Sequence, residues 1–128
     1  MTKLKKPRRR RRTHLRTRRD ELIRILVDAA GNFNYLDAHN NPAWNRKVQR
    51  PQSDQEEVRI VWRADDPRAG FGIVFAGDSP CDGVSFPSQH GTAIGVVPLG
   101  TGSAIYKYSV VYFSNGTVLI DDPHIIIT

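Results

Sequence analysis

From Leu22 onward the hydrophobic pattern is mostly that of β-strands. Val58-Arg59-Ile60-Val61-Trp62 is a short strand entered from the polar segment Gln52 to Glu57. Phe71 to Phe75 (FGIVF) is an apolar run bounded by Gly70 and Gly77, the form of a buried strand. Thr92 to Val97 is a further strand, ended by Pro98. Tyr106 to Phe113 (YKYSVVYF) reads as the longest. Tyr106, Tyr108, Val110 and Tyr112 fall on one face of it, and Lys107, Ser109, Val111 and Phe113 on the other. Asn115-Gly116 separates this run from Thr117 to Ile120, and both residues accept the positive φ of a type I′ hairpin turn. Asp121-Asp122-Pro123 breaks the ladder, and His124 to Thr128 forms a last strand. Pro51, Pro67, Pro80, Pro87 and Pro98 fall between the runs, where a missing N–H does least harm.

Residues 17–39 fit two patterns. Thr17, Glu21, the apolar set Leu22, Ile23, Leu26, Val27, Ala30 and then Gly31 suit a capped helix. Leu22–Asp28 and Asn32–Ala38 suit a hairpin turning at Ala29-Ala30-Gly31, with Phe33 and Tyr35 alternating in its second half. The strands downstream need partners, which favours the hairpin. Seven or eight short strands with Pro and Gly punctuation predict an all-β protein, a Greek-key β-sandwich or small barrel.

Two segments carry a family resemblance. Ala69 to Phe75 followed by Asp78-Ser79-Pro80, and Gly102 through Tyr106-Lys107-Tyr108-Ser109-Val110, resemble the two ligand-bearing strands of cupredoxins. Leu119 to Thr128, with its Asp-Pro-x-Ile-Ile-Ile pattern, is similar to the closing strand of small bacterial cupredoxin-like proteins. The likeness covers residues 58–128, and more loosely 20–57. It implies a cupredoxin-like Greek-key sandwich over residues 20–128, but not the family's copper chemistry. A blue-copper site needs two His, a Cys thiolate and a weak axial ligand such as Met. In the matched segments the first histidine position is Phe71 and the cysteine position is Val110. The loop that would hold the remaining ligands is shortened to Ser114-Asn115-Gly116, and the only methionine is Met1. The expectation is therefore a sandwich with no metal and no cofactor.

Charge adds a second component. The 128-residue chain has a formal charge of +6, but residues 1–19 hold three Lys, eight Arg and no acid. Residues 1–19 read as a basic arm, with 1–14 disordered and 15–19 partly ordered, because the segment has little apolar surface to bury and its charges repel. No secretory pattern follows the arm, since Leu22 to Ala30 is interrupted by Arg24 and Asp28. Five consecutive arginines put charge on every face, unlike an amphipathic presequence. No apolar run approaches the roughly 20 residues of a membrane span, and a cytoplasmic location is expected. One cysteine, Cys81, excludes a disulfide-stapled scaffold.

Arginine forks match phosphate oxygens, and counterion release drives polycations onto nucleic acid. Lys3, Lys5, Lys6, Arg8, Arg9, Arg10, Arg11, Arg12, Arg16, Arg18 and Arg19 are the candidate phosphate ligands. With no aromatic residue in the arm, binding should be largely independent of sequence. Trp44, Arg46, Lys47 and Arg50 form a second, smaller basic cluster with one stacking side chain.

The remaining constellations are weaker. Cys81 with His90 or His124 lacks a nucleophile elbow and lacks zinc-ligand spacing. Asp78 and Asp82-Gly83 do not fit the twelve-residue calcium loop, and Asp65-Asp66-Pro67 and Asp121-Asp122-Pro123 read as strand terminators. Gly100-Thr101-Gly102-Ser103 lacks the lysine of a P-loop. The residues thus point to a non-catalytic binding protein whose arm contacts DNA or RNA. The alternative is a structural or assembly protein whose sandwich meets protein partners or further copies of itself while the arm docks an acidic surface.

Overall fold

Eleven strands fill the described part of the chain, residues 16–128 of the computed structural model, and none of those residues is helical. One sheet has the order β2 (Phe33–Leu36), β1 (Thr17–Val27), β4 (Glu56–Ala64), β7 (Thr92–Val97). A second has the order β10 (Thr117–Asp121), β9 (Ser109–Ser114), β5 (Gly70–Val74), β6 (Ser85–Pro87). A third, three-stranded sheet has the order β3 (Asn45–Val48), β11 (His124–Ile127), β8 (Ala104–Lys107). Two pairs are parallel: β1 with β4, where Ile23 lies opposite Trp62, and β3 with β11, where Val48 lies opposite Ile127. The other pairs are antiparallel.

Period-two alternation sets which side chains turn inward. Ile23 and Ile25 of β1 and Val58, Ile60, Trp62 and Ala64 of β4 are buried. They share one hydrophobic cluster with Phe71 and Ile73 of β5, Val110 and Tyr112 of β9, and Val48, Ile125 and Ile127 of the third sheet. The result is sandwich-like, with sheets closing on a common core. Trp62 is fully buried in it, with the rings of Phe75, Phe86 and Tyr108 centred 6.3, 6.0 and 5.7 Å away. Its indole N–H donates to the Tyr108 hydroxyl at 3.2 Å, so the largest core side chain is also polar-satisfied.

The hairpin reading of residues 17–39 holds. β1 and β2 pair antiparallel, and the turn between them is built on Asp28, whose Oδ1 accepts from the backbone N–H groups of Ala30 and Asn32. The sandwich has more strands than the seven or eight expected, because short β3 and β6 carry no apolar alternation of their own. Tyr106 to Phe113 is not one strand. It breaks at Tyr108, whose N–H bonds Pro123 O at 3.1 Å, so that β8 enters the third sheet and β9 the second. The inward face expected for that run survives the break, since Tyr108, Val110 and Tyr112 are all buried. Asn115 and Gly116 have φ of 50° and 76°, as the hairpin turn between β9 and β10 requires. His90 and Gly91, at 55° and 78°, make a second turn of this kind, with Gln89 and Thr92 exchanging both backbone bonds.

Cys81 is buried in a loop that closes over β7. Asp82 N–H bonds Val96 O at 2.8 Å, and the Ser79 hydroxyl accepts from Cys81 N–H at 3.1 Å. The thiol occupies the space left by the missing side chain of Gly95, where a Cβ would lie 2.8 Å from Cys81 Sγ.

The candidate nucleic-acid interface

Lys3, Lys5, Lys6 and Arg8 to Arg12, and the disorder expected of residues 1–14, lie outside the described residues. The expected arm boundary at residue 19 moves forward, because Thr17 to Arg19 are the first residues of β1, opposite Glu56 to Val58. Residues 1–15 carry eight cationic side chains and no acid, whereas residues 16–128 carry eleven against thirteen acids. The described body is therefore −2 and the segment before it +8.

The fold brings the root of the arm to the end of the second cluster. Arg19 lies on the inward face of β1, two residues before Glu21 and four before the first core side chain, Ile23. Its Nε donates to Glu21 at 2.7 Å, its Nη1 to Glu56 at 2.5 Å, and its Nη2 to Gln49 O just beyond β3. Arg46 of β3 donates to the other oxygen of the same Glu21 carboxylate, which is 15% exposed. Two arginines and two glutamates thus make a neutral network where the core ends. Arg19 and Arg46 both take part in it: their donors face Glu21, Glu56 and main-chain oxygens. The Nε of Arg46 is buried without a partner.

Arg18 turns to the other face of β1 and lies 3.4 Å from Asp20. Asp20 is held more firmly by Arg59, at 2.9 and 3.1 Å, and this hydrogen bond, with the charges of Arg59 and Arg18 behind it, lowers its pKa below the usual carboxylate range. Arg50 donates to Thr101 O at 3.0 Å, anchoring the 100–103 loop. Among the described residues, Arg16, Lys47 and Arg50 have no acidic partner within ion-pair distance, so they are the members of the candidate set whose charge remains available beside the arm. Trp44 is not at the arm root. It is 43% exposed and rests on His124, ring centroids 4.5 Å apart, roughly 15 Å along β3 from Gln49. Sequence reasoning missed Glu21 and Glu56, and the available signal was the period-two spacing that puts Arg19 and Glu21 on one strand face.

At the other end of the molecule three carboxylates gather, two of them ion-paired, Asp65 with Arg24 at 3.0 Å and Asp66 with Arg68 at 3.2 Å. Because β1 and β4 are parallel, both finish there, and Asp28, Asp65 and Asp66 follow them. These residues line a cleft of about 470 Å³ with Leu26, Phe33 and Tyr112. Hydrogen bonds from the Asn32 backbone and side chain, and then from Ala30 and Gly31, lower the Asp28 pKa below the usual range.

The positions matched to copper ligands, Phe71 and Val110, are apolar core members. Among the described residues, no three His, Cys, Asp or Glu side chains gather closely enough to hold a metal ion. Burial first, and the Asp82 charge second, push the Cys81 thiol up to about 12, far from a nucleophile's range. No described helix is long and apolar enough to cross a membrane. No family model matches the chain, and no curated protein matches it.

Proposed function

We propose that this is a non-catalytic binding protein that attaches to nucleic-acid phosphates through its arginine-rich N-terminal segment, largely independently of base sequence. The observation that carries this reading is the separation of charge: +8 before residue 16 and −2 from residue 16 onward, with Arg16, Lys47 and Arg50 as the cations without an acidic partner among the described members of the candidate set. Within this reading, the body is a copper-free, cupredoxin-like Greek-key sandwich. The repeated passage of the chain between sheets and the parallel pairs β1–β4 and β3–β11 support a topology more involved than a meander.

The test is binding of mixed-sequence DNA and RNA by the full chain and by a form lacking residues 1–15. The full chain should bind unrelated sequences with similar affinity, and the truncated form at least 100-fold more weakly at moderate salt. Equal binding by the two forms would sink the proposal. A second reading, in which the arm docks an acidic surface, draws on the cleft lined by Asp28, Asp65 and Asp66, where Asp28 is the carboxylate with no cationic partner among the described residues. It predicts salt-sensitive self-association that needs the arm.

A further inference from the structure

The outward face of the third sheet brings together two lysines and a pair of stacked aromatic rings. Alternation turns Val48, Ile125 and Ile127 into the core, which leaves the residues between them on the other side. The cross-strand register orders those residues in two rows. Asn45, His124 and Lys107 make the first, and Lys47, Ile126 and Ile105 the second. Asn45, Lys47 and Lys107 are exposed, and Ile105 is 60% exposed. Trp44, the residue before β3, lays its half-exposed ring against that of His124, and its carbonyl accepts from His124 N–H at 2.8 Å. The ring pair therefore closes the first row on the outward side.

The rows themselves hold two cations and no acid. Neither Lys47 nor Lys107 has an acidic partner within ion-pair distance among the described residues. Lys107 stands between two clefts of about 300 and 370 Å³ that share Ala76. Each cleft has one acid off the rows, Asp122 in the first and Asp78 in the second, and Asp122 accepts from the Ser109 hydroxyl at 3.2 Å. The second row adjoins the root of the arm, since Lys47 is two residues before Gln49, whose carbonyl accepts from Arg19.

We infer that this face binds single-stranded nucleic acid, about two to three nucleotides of it, with a base stacked on Trp44 and phosphates on Lys47 and Lys107. The inference rests on the nucleic-acid reading of the arm and adds to it a second site of different selectivity. The two lysines lie on a diagonal of the sheet, with Cα atoms roughly 12 Å apart across two strand spacings and one two-residue step. Ile105 and Ile126 lie beside that diagonal and offer apolar surface to sugars and base edges. A free base can settle on the indole, whereas the bases of a duplex are already stacked on one another. An acidic peptide would satisfy the lysines but has no flat ring for Trp44. The arm thus supplies sequence-independent attachment to any polyanion, and the sheet face supplies the preference for an unpaired strand.

The experiment measures binding of the full chain to a twelve-nucleotide thymidine oligomer, its uridine counterpart and a mixed-sequence duplex. The tighter of the two oligomers identifies the sugar that the face prefers. Trp44→Ala should weaken binding of that oligomer at least five-fold and duplex binding less than two-fold. Ile105→Glu, at an exposed position that leaves the melting temperature unchanged, should show the same selective loss. Lys47→Gln combined with Lys107→Gln should make the single-strand log–log salt slope shallower by about 1.4 units, at about 0.7 per phosphate contact. An oligomer carrying 5-iodouridine should photocross-link to Trp44 or His124. The inference is overturned if Trp44→Ala and Ile105→Glu leave single-strand affinity within two-fold of the parent, or if cross-links fall only in residues 1–15. In either case the arm reading survives, provided that alanine at Arg8 to Arg12 still weakens duplex binding. Displacement of the oligomers by polyglutamate of equal charge at equal concentration would also overturn the inference. Failure of the full chain to bind any of the three probes would overturn both readings.

Discussion

Replacing Gly95 by alanine tests how the loop that carries Cys81 is held. Gly95 lies at the centre of β7, opposite Ile60. An alanine Cβ there would sit 2.8 Å from Cys81 Sγ and 3.2 Å from its Cβ, against an ordinary contact of about 3.5–4 Å. Cys81 cannot withdraw freely, because Asp82 N–H is bonded to Val96 O and Cys81 N–H to the Ser79 hydroxyl. Overpacking of this kind costs about 1–3 kcal/mol, less roughly 0.5 kcal/mol gained as glycine's unfolded-state freedom is lost. The expected net loss is about 1–2 kcal/mol, or roughly 4–8 °C in Tm. Guanidinium unfolding followed by the fluorescence of Trp62 and Trp44 measures it, with an unchanged m-value as the control. Cys81→Ala removes the sulfur and costs about 1 kcal/mol alone. In the double variant the clash is mostly relieved, so the two losses should fall short of their sum by about 1 kcal/mol. The reasoning is refuted if Gly95→Ala is as stable as the parent, or if the losses simply add.

Tyr108→Phe should cost about 1–2 kcal/mol in the same unfolding assay, because it leaves the Trp62 indole N–H buried without an acceptor. Asp28, Asp37 and Asp66 all titrate below the usual carboxylate range through turn hydrogen bonds. Their native pKa values lie below the unfolded value of about 3.9, so their stabilisation is complete above that pH and is lost as pH falls through the native values. Asp28→Asn, which keeps an acceptor but does not titrate, should therefore flatten the acid limb of stability measured between about pH 5 and about pH 2. Cys81 should react slowly with a thiol reagent at neutral pH until the protein is unfolded, and Cu(II) should raise no intense thiolate-to-copper band, since Phe71 and Val110 stand at the matched ligand positions.

The strands that were legible in the sequence are those with a buried face or a diagnostic turn. β7 matches its expected bounds, Thr92–Val97, and the Asn115-Gly116 hairpin is where local chemistry puts it. The elements that escaped have no such signature. β3 reads Asn-Arg-Lys-Val because only Val48 reaches the core, and its place is set by β11, nearly eighty residues later. The switch at Tyr108 is invisible for a related reason. The side-chain alternation continues through the break, and only the distant Pro123 carbonyl reveals where the backbone changes sheets. In the candidate site, the cationic residues were legible and their neutralisation was not. Glu56 is remote from Arg19 in sequence, and only the parallel pairing of β1 with β4 makes them neighbours.

Salt dependence of nucleic-acid affinity tests the central claim most directly. Eight cations precede residue 16, and full engagement on duplex DNA gives a log–log slope of roughly −7, at about −0.9 per phosphate contact. Changing Arg8 to Arg12 to alanine should make the slope shallower by about 4 units, while Arg46→Ala should leave it within about 1 unit and instead reduce stability, as the Glu21 network requires. The account predicts that pattern on unrelated DNA and RNA sequences alike. A slope unchanged by the five-arginine substitution, with affinity retained, would contradict it.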